Sequence, residues 1–254
     1  MHNAEVFDRI GKLKVPVADL ADGCRKQGLA VRVADRSLCP AVPFSRVAGT
    51  AVTVREYIAE GSKDYGLQIA EVYDLGRSVP CAVLVIRNEI PDFACMGSGG
   101  ARVALAHGYV GGVMGGTIRD TQELPEIGFP LFGTCVRADS MAIDETPPGS
   151  SIHIDIGGPV EIAGVTVSAG DIVVADNDGM IAIAPDQIEA ALTGTEEVIR
   201  IERRIFALLK QGLSYREILA LEPDLSGTHR QAFAAGQQEP PATLALTCKI
   251  RRRM

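Results

Sequence analysis

Residues 81–116 read CAVLVIRNEIPDFACMGSGGARVALAHGYVGGVMGG, and this stretch decides the fold. The continuous apolar run at 81–86 has the pattern of a strand buried on both faces. The glycine cluster at 97–100 then opens a short helical segment over 101–107. A second buried strand follows at 109–114. Strand, glycine turn, helix and strand in that order predict parallel crossovers and an α/β layer.

Working outward, residues 16–28 predict a helix. Val17, Leu20, Ala21 and Cys24 fall at helical spacing and Gly28 is a stop. The β-branched segment 47–54 predicts a strand. Residues 63–75 predict a helix with Tyr65, Ile69 and Val72 on one face. After Pro130 the texture becomes β-rich and meander-like, with strands expected at 131–136, 151–155, 165–167, 172–175 and 180–184. Asp186 opens a long helix with Glu189 as a capping-box partner, ending near Lys210 and Gly212. Ser214 and Glu217 repeat the box for a final helix. The expected organisation is an α/β core over 1–185, C-terminal helices over 186–221, and a poorly ordered or subunit-contacting tail over 222–254.

Composition sets further bounds. The 254 residues are 46% hydrophobic with no Trp, so the core is built from Val, Ile, Leu and Ala. A net charge of −7 argues against nucleic acid as a partner, because phosphate contacts need a basic face. The basic tail residues Lys249, Arg251, Arg252 and Arg253 read as a solvated terminus. The six cysteines form no C-x-x-C and no zinc spacing, so they read as free, largely buried thiols in a reducing compartment. The first residues lack a signal-peptide apolar region, and no run is long enough to span a bilayer. The expectation is a cytoplasmic protein with no membrane contact.

Candidate chemistry concentrates at residues 109–120, YVGGVMGGTIRD. Arg119 offers a planar fork that matches a carboxylate. Asp120 offers a hard oxygen suited to Mg²⁺ or Mn²⁺. Gly115 and Gly116 are expected to permit close backbone approach and unusual dihedrals just before the pair. The upstream glycines fail as a dinucleotide fingerprint, since Arg102 stands where the last glycine belongs, and no P-loop Lys follows. They read instead as a bare helix N-terminus that favours an anion, or as glycines fitted to tight packing. The DNDG sequence at 176–179 fails as a calcium loop because Pro185 falls where the last ligand belongs, so a turn is expected. His2, His107, His153 and His229 have no spacing that makes a site. The lysines lie in polar contexts, which disfavours a Schiff-base mechanism.

VADLADGCRKQGL, RVAGTAVTVRE, the 97–108 segment, GGVMGGTIRD and PVEIAGVTVSAGDIVVADNDGMIAIA occur in an order that resembles the RraA-like family, over about residues 15–184. That family includes regulators of ribonuclease activity, proteins labelled demethylmenaquinone methyltransferase, and metal-dependent 4-hydroxy-4-methyl-2-oxoglutarate aldolases. The resemblance implies a layered α/β/α sandwich of the swivelling-domain type, assembled as homotrimers or homohexamers with sites near subunit boundaries. It also implies roles. Arg119 binds a keto-acid carboxylate, Asp120 holds the metal, and the backbone amides of Ser98, Gly99 and Gly100 hold the substrate. One departure matters: the aldolases commonly carry an acid where Ser98 stands. Serine is no carboxylate base at neutral pH, and nearby Asp92 is the candidate substitute. The resulting expectation is a metal-dependent carbon–carbon lyase acting on a small 2-oxo acid, by retro-aldol cleavage or decarboxylation. The alternatives are a non-catalytic ring that binds a protein partner such as a ribonuclease, and a sugar-acid lyase or dehydratase.

Overall fold

The apolar runs become strands because their alternate residues feed two different cores. In the computed structural model, which describes residues 3–221 except 92, 141 and 142, the elements follow in chain order. They are α1 (Asn3–Gly11), α2 (Pro16–Lys26), β1 (Cys39–Pro40), β2 (Val47–Glu60), α3 (Tyr65–Leu75), β3 (Ala82–Asn88), β4 (Ala94–Met96) and α4 (Ser98–Ala106). Then come β5 (Gly111–Ile118), α5 (Leu124–Ile127), β6 (Leu131–Val136), β7 (Ser150–Ile156), β8 (Val160–Ile162) and β9 (Val165–Val167). The chain continues through β10 (Ile172–Asp176), β11 (Gly179–Ile183), α6 (Ile188–Lys210) and α7 (Tyr215–Leu221).

The fold is α/β with a helical C-terminal segment, as the sequence predicts. A nine-stranded mixed sheet runs β1-β6-β5-β3-β2-β10-β11, with β4 beside β5 and β7 beside β2. The pairs β2–β3, β3–β5 and β5–β6 are parallel, so the expected crossovers are present. In β3, Ala82, Leu84 and Ile86 join a core with Val72, Ala101 and Ala104 of the crossover helices. Val83 and Val85 join a second core with Val160, Ile162, Val165 and Val167 of the β8–β9 hairpin. A third core sets Ile172, Val174, Ile181 and Ile183 against α1, α2 and the first turns of α6. Burying a Val, Leu or Ile side chain is worth about 1.5–3 kcal/mol, which fixes strand register face by face.

The structure corrects several local expectations. The region after Pro130 is not a meander. Strands β7 and β10 both return to pair antiparallel with β2, and among the described residues only β8–β9 and β10–β11 are local hairpins. Helix α6 begins at Ile188, and the Glu189 carboxylate meets Arg9 of α1 at 2.9 Å instead of closing a box with Asp186. Helix α1 itself was not expected; Val6 and Ile10 anchor it in the third core. The second box does form: the Ser214 N–H donates to Glu217 at 2.7 Å, and the Glu217 N–H donates to the Ser214 hydroxyl at 3.3 Å.

The DNDG turn joins β10 to β11 as expected, and its first aspartate does more. Asp176 is buried, accepting the Asp178 N–H at 2.8 Å and the Val17 N–H at 3.1 Å. It thereby caps the first turn of α2, whose own N-cap residue, Val15, has no side-chain acceptor. Cys24 and Cys95 are buried free thiols, whereas Cys39 and Cys135 are exposed, and Cys248 lies outside the described residues. Among the described residues no helix is long and apolar enough to cross a membrane. The chain divides into compact units at 1–203 and 204–254; the described part of the second holds the end of α6 and α7.

Candidate functional site

Strand β5 ends at Ile118, so Arg119 and Asp120 sit at the carboxyl end of a parallel strand, where open α/β sheets bind ligands. The glycines before them act through packing. Neither Gly115 nor Gly116 has a left-handed dihedral, contrary to expectation. A Cβ on Gly115 would lie 2.9 Å from the Ile162 side chain, and one on Gly116 would lie 2.7 Å from that of Asn88. They also form a bulge: register runs Met114↔Gly133 and then Thr117↔Cys135, giving β5 one residue more than β6. Bulges re-aim the side chains that follow. The left-handed residue is Asp120 itself, at φ 56°, a conformation Asp tolerates better than most.

The backbone of the pair is fixed on both sides. The Arg119 N–H donates to Met96 O at 3.0 Å, and the Arg137 N–H donates to Ile118 O at 3.1 Å. This places Asp120 at the start of α4. The Ser98 N–H donates to Asp120 Oδ2 at 3.1 Å, and the Ser98 hydroxyl lies 3.4 Å away. Gly97, the N-cap residue of α4, brings no side chain to the helix end. The Asp120 carboxylate satisfies that end instead, complementing the helix dipole. A methyl group on Gly97 would collide with Asp120 Oδ2, so glycine is needed for the approach.

Arg119 Nε lies 3.5 Å from Asp120 Oδ2, and both side chains are open to solvent, at 47% and 36% exposure. Among the described residues the terminal nitrogens of Arg119 have no protein partner, which leaves a fork free for a planar carboxylate. The Gly99 and Gly100 amides belong to the first turn of α4, where N–H groups have no intrahelical acceptor. A Cβ at Gly99 would meet open space. At Gly100 it would meet Met96 Sδ at 2.7 Å and the Tyr73 hydroxyl at 3.1 Å, so this glycine is a packing requirement.

The expected residues Arg119, Asp120, Ser98, Gly99 and Gly100 therefore converge. Asp92 lies outside the described residues, as do His2 and His229. His107 sits 3.6 Å from Asp74, and His153 stacks near Tyr57; neither joins the cluster. Among the described residues no group of three or more His, Cys, Asp or Glu side chains could cage a metal. Mg²⁺ does not require one, since it commonly binds one or two carboxylates plus water and substrate oxygens. With Oδ2 held by α4, Asp120 keeps Oδ1 for such an ion, so the residues present fit a cation shared with a chelating substrate. Sequence reading missed Glu56, a fully buried carboxyl on β2. The signal lies in the pattern: the buried alternation Val52, Val54 continues to residue 56, two residues past the expected end of the strand.

The comparisons with known proteins agree with this architecture. A 4-hydroxy-4-methyl-2-oxoglutarate aldolase of Thermus thermophilus is 32% identical over 94 residues, covering 35% of this chain and 51% of that protein. Protein DlpA of Legionella pneumophila is 24% identical over 197 residues, covering 77% of this chain but 30% of the relative. The chain thus spans about a third to a half of these curated relatives. Among solved structures, an uncharacterised Pseudomonas syringae protein superposes with a TM-score of 0.66 at 24% identity, covering 84% of this chain and 96% of that one. Streptomyces coelicolor RraAS2, described as an unusual member of the RNase ES inhibitor RraA family, superposes at 0.63 with 20% identity, covering 78% and 94%. These likenesses share the fold. The RraA-like (Aldolase/RraA) family profile matches residues 17–182, from α2 to β11 and through the whole site, and the chain belongs to that family.

Proposed function

We propose that this protein is a divalent-metal-dependent carbon–carbon lyase, an aldolase or decarboxylase acting on a small 2-oxo acid. The observation that carries the reading is the placement of Arg119 and Asp120 against the first turn of α4 at the carboxyl end of β5. The Arg119 fork binds the substrate carboxylate. The Gly99 and Gly100 amides supply neutral donors to the same anion, and Asp120 orients the metal-binding edge of the site. A bound Mg²⁺ or Mn²⁺ would supply Lewis-acid stabilisation of the charge that develops on the keto oxygen. Ser98 acts as a helix-end donor turned toward Asp120, not as a base. The aldolase relative supports the substrate class.

The test is a screen of 2-oxo acids with and without Mg²⁺, read as pyruvate release. Turnover that survives chelation unchanged would remove the metal from the reading. A second reading, a non-catalytic ring that binds a protein partner, is favoured by one observation: Ser98 stands where an acid serves the aldolases. Magnesium-dependent binding of oxalate, a planar enolate mimic, would count against it. In either reading the family membership leads us to propose a homotrimer or homohexamer in the cytoplasm. Sedimentation is expected to show that mass, and a monomer at micromolar concentration would contradict it.

A further inference from the structure

Helix α6 runs unbroken from Ile188 to Lys210. One seam follows it at alternating steps of four and three residues: Ile188, Leu192, Thr195, Ile199, Glu202, Phe206 and Leu209. Such steps keep side chains on one face of a helix. The first half of the seam is taken up by the fold. Ile188, Leu192 and Thr195 are buried, and Ile199 packs on the third core. The second half is open: Phe206 is 56% exposed and Leu209 41%. The buried residue of this stretch is Leu208, which lies about 200° around the helix from Phe206, on its other side. The seam therefore continues as an apolar strip with no cover among the described residues. It lies past residues 17–182, the part that the family profile matches. An apolar strip that prolongs a packed seam marks a surface for another chain, unlike singly scattered exposed residues.

The charges around Phe206 indicate which chain. Glu202 stands four residues before it and Lys210 four residues after it. Among the described residues neither has a hydrogen-bond or ion-pair partner. They do not reach each other, since eight residues span about 12 Å along a helix axis. Reversed, however, the strip is its own complement. In an antiparallel crossing about a two-fold axis through Phe206, each Glu202 comes level with Lys210 of the other copy. Each Leu209 comes level with Arg203 of the other copy, whose methylene stem can cover it. The two Phe206 rings meet at the axis. A partner of one charge sign would satisfy one of the two charged residues and repel the other.

We propose that the open half of the α6 seam is a two-fold contact between two copies of this chain, crossing antiparallel at Phe206 with Glu202 and Lys210 as reciprocal ion pairs. The contact deepens the assembly proposed above and rests on it only for the number of chains. Between rings of three it makes a hexamer, and without a ring it makes a dimer.

Sedimentation equilibrium of the full chain tests this through a ratio of masses. Phe206→Glu brings two carboxylates together at the axis and is expected to halve the wild-type mass at micromolar concentration. Lys210→Glu turns two attractive pairs into two repulsive ones and should weaken the association at least about tenfold. Glu202→Lys combined with Lys210→Glu restores opposite charges and should return the dissociation constant to within about threefold of wild type. A fall from six chains to three in Phe206→Glu supports the ring and the contact together. A fall from two chains to one upholds the contact and overturns the ring. An unchanged mass in Phe206→Glu overturns the contact, whether residues 222–254 or nothing covers the strip. Should Phe206→Glu fail to fold, the charge variants decide: a double variant as weak as Lys210→Glu alone overturns the crossing at Phe206.

Discussion

Asp120→Ala is expected to abolish Mg²⁺-dependent oxalate binding while lowering unfolding free energy by only about 1 kcal/mol, the usual cost of losing an N-cap. The two effects separate because the proposed function gives the carboxylate two tasks. Oδ2 holds the Ser98 N–H at the start of α4, and Oδ1 remains for a cation. At 36% exposure the side chain adds little to the core. Arg119→Lys is the companion measurement. It keeps the charge and loses the fork, and a lost charge-assisted contact costs roughly 1.5–3 kcal/mol. Oxalate affinity should therefore fall at least about tenfold by calorimetry with Mg²⁺ present. Unchanged affinity in Arg119→Lys would take Arg119 out of the site, and with it the main support for a keto-acid substrate.

The largest effect on stability is expected far from the site, where α2 crosses α6. A Cβ on Gly23 would collide with the Thr195 hydroxyl and the Ala191 carbonyl, and would lie 2.6 Å from the Thr195 N–H. A Cβ on Gly194 would in turn meet the Gly23 carbonyl. Thr195 cannot give way easily, because it is fully buried and its hydroxyl lies within bonding distance of Asp19 O and Ala191 O. Gly23→Ala therefore meets backbone as well as side chain. Overpacking of this kind costs about 1–3 kcal/mol and more when helices must separate, outweighing the gain of about 1 kcal/mol in helix propensity. At the upper end of that range the net loss is about 2 kcal/mol, so the expected result is a thermal midpoint lowered by about 4–8 °C, at about 2–4 °C per kcal/mol for a domain this large. Gly11→Ala is the control, since nothing lies within 4 Å of its would-be Cβ. Equal midpoints for the two variants would show that the helices do not cross this closely.

The elements legible in the sequence are those set by neighbours along the chain. Helix α2, strands β3 and β5, the β10–β11 turn and the Ser214–Glu217 cap follow from spacing over a few residues, because helical and strand periods and capping geometry are local. So did the adjacency of Arg119 and Asp120 and the helix that starts at the glycine cluster. What the tertiary structure alone decided is which distant groups meet. Strands β7 and β10 pair with β2 rather than with each other, because β2 is long enough to present edges to both. Asp176 caps a helix 159 residues away, and Asp120 caps one that begins 22 residues upstream. Glu56 continues a buried alternation as a charge-bearing residue, and only the packing of α3 over it supplies the Tyr65 hydroxyl that makes its burial tolerable. The period of a strand says which face a residue takes; the partner waiting on that face is fixed by chain segments far away, whose contacts form only when the sheet and its helices close together.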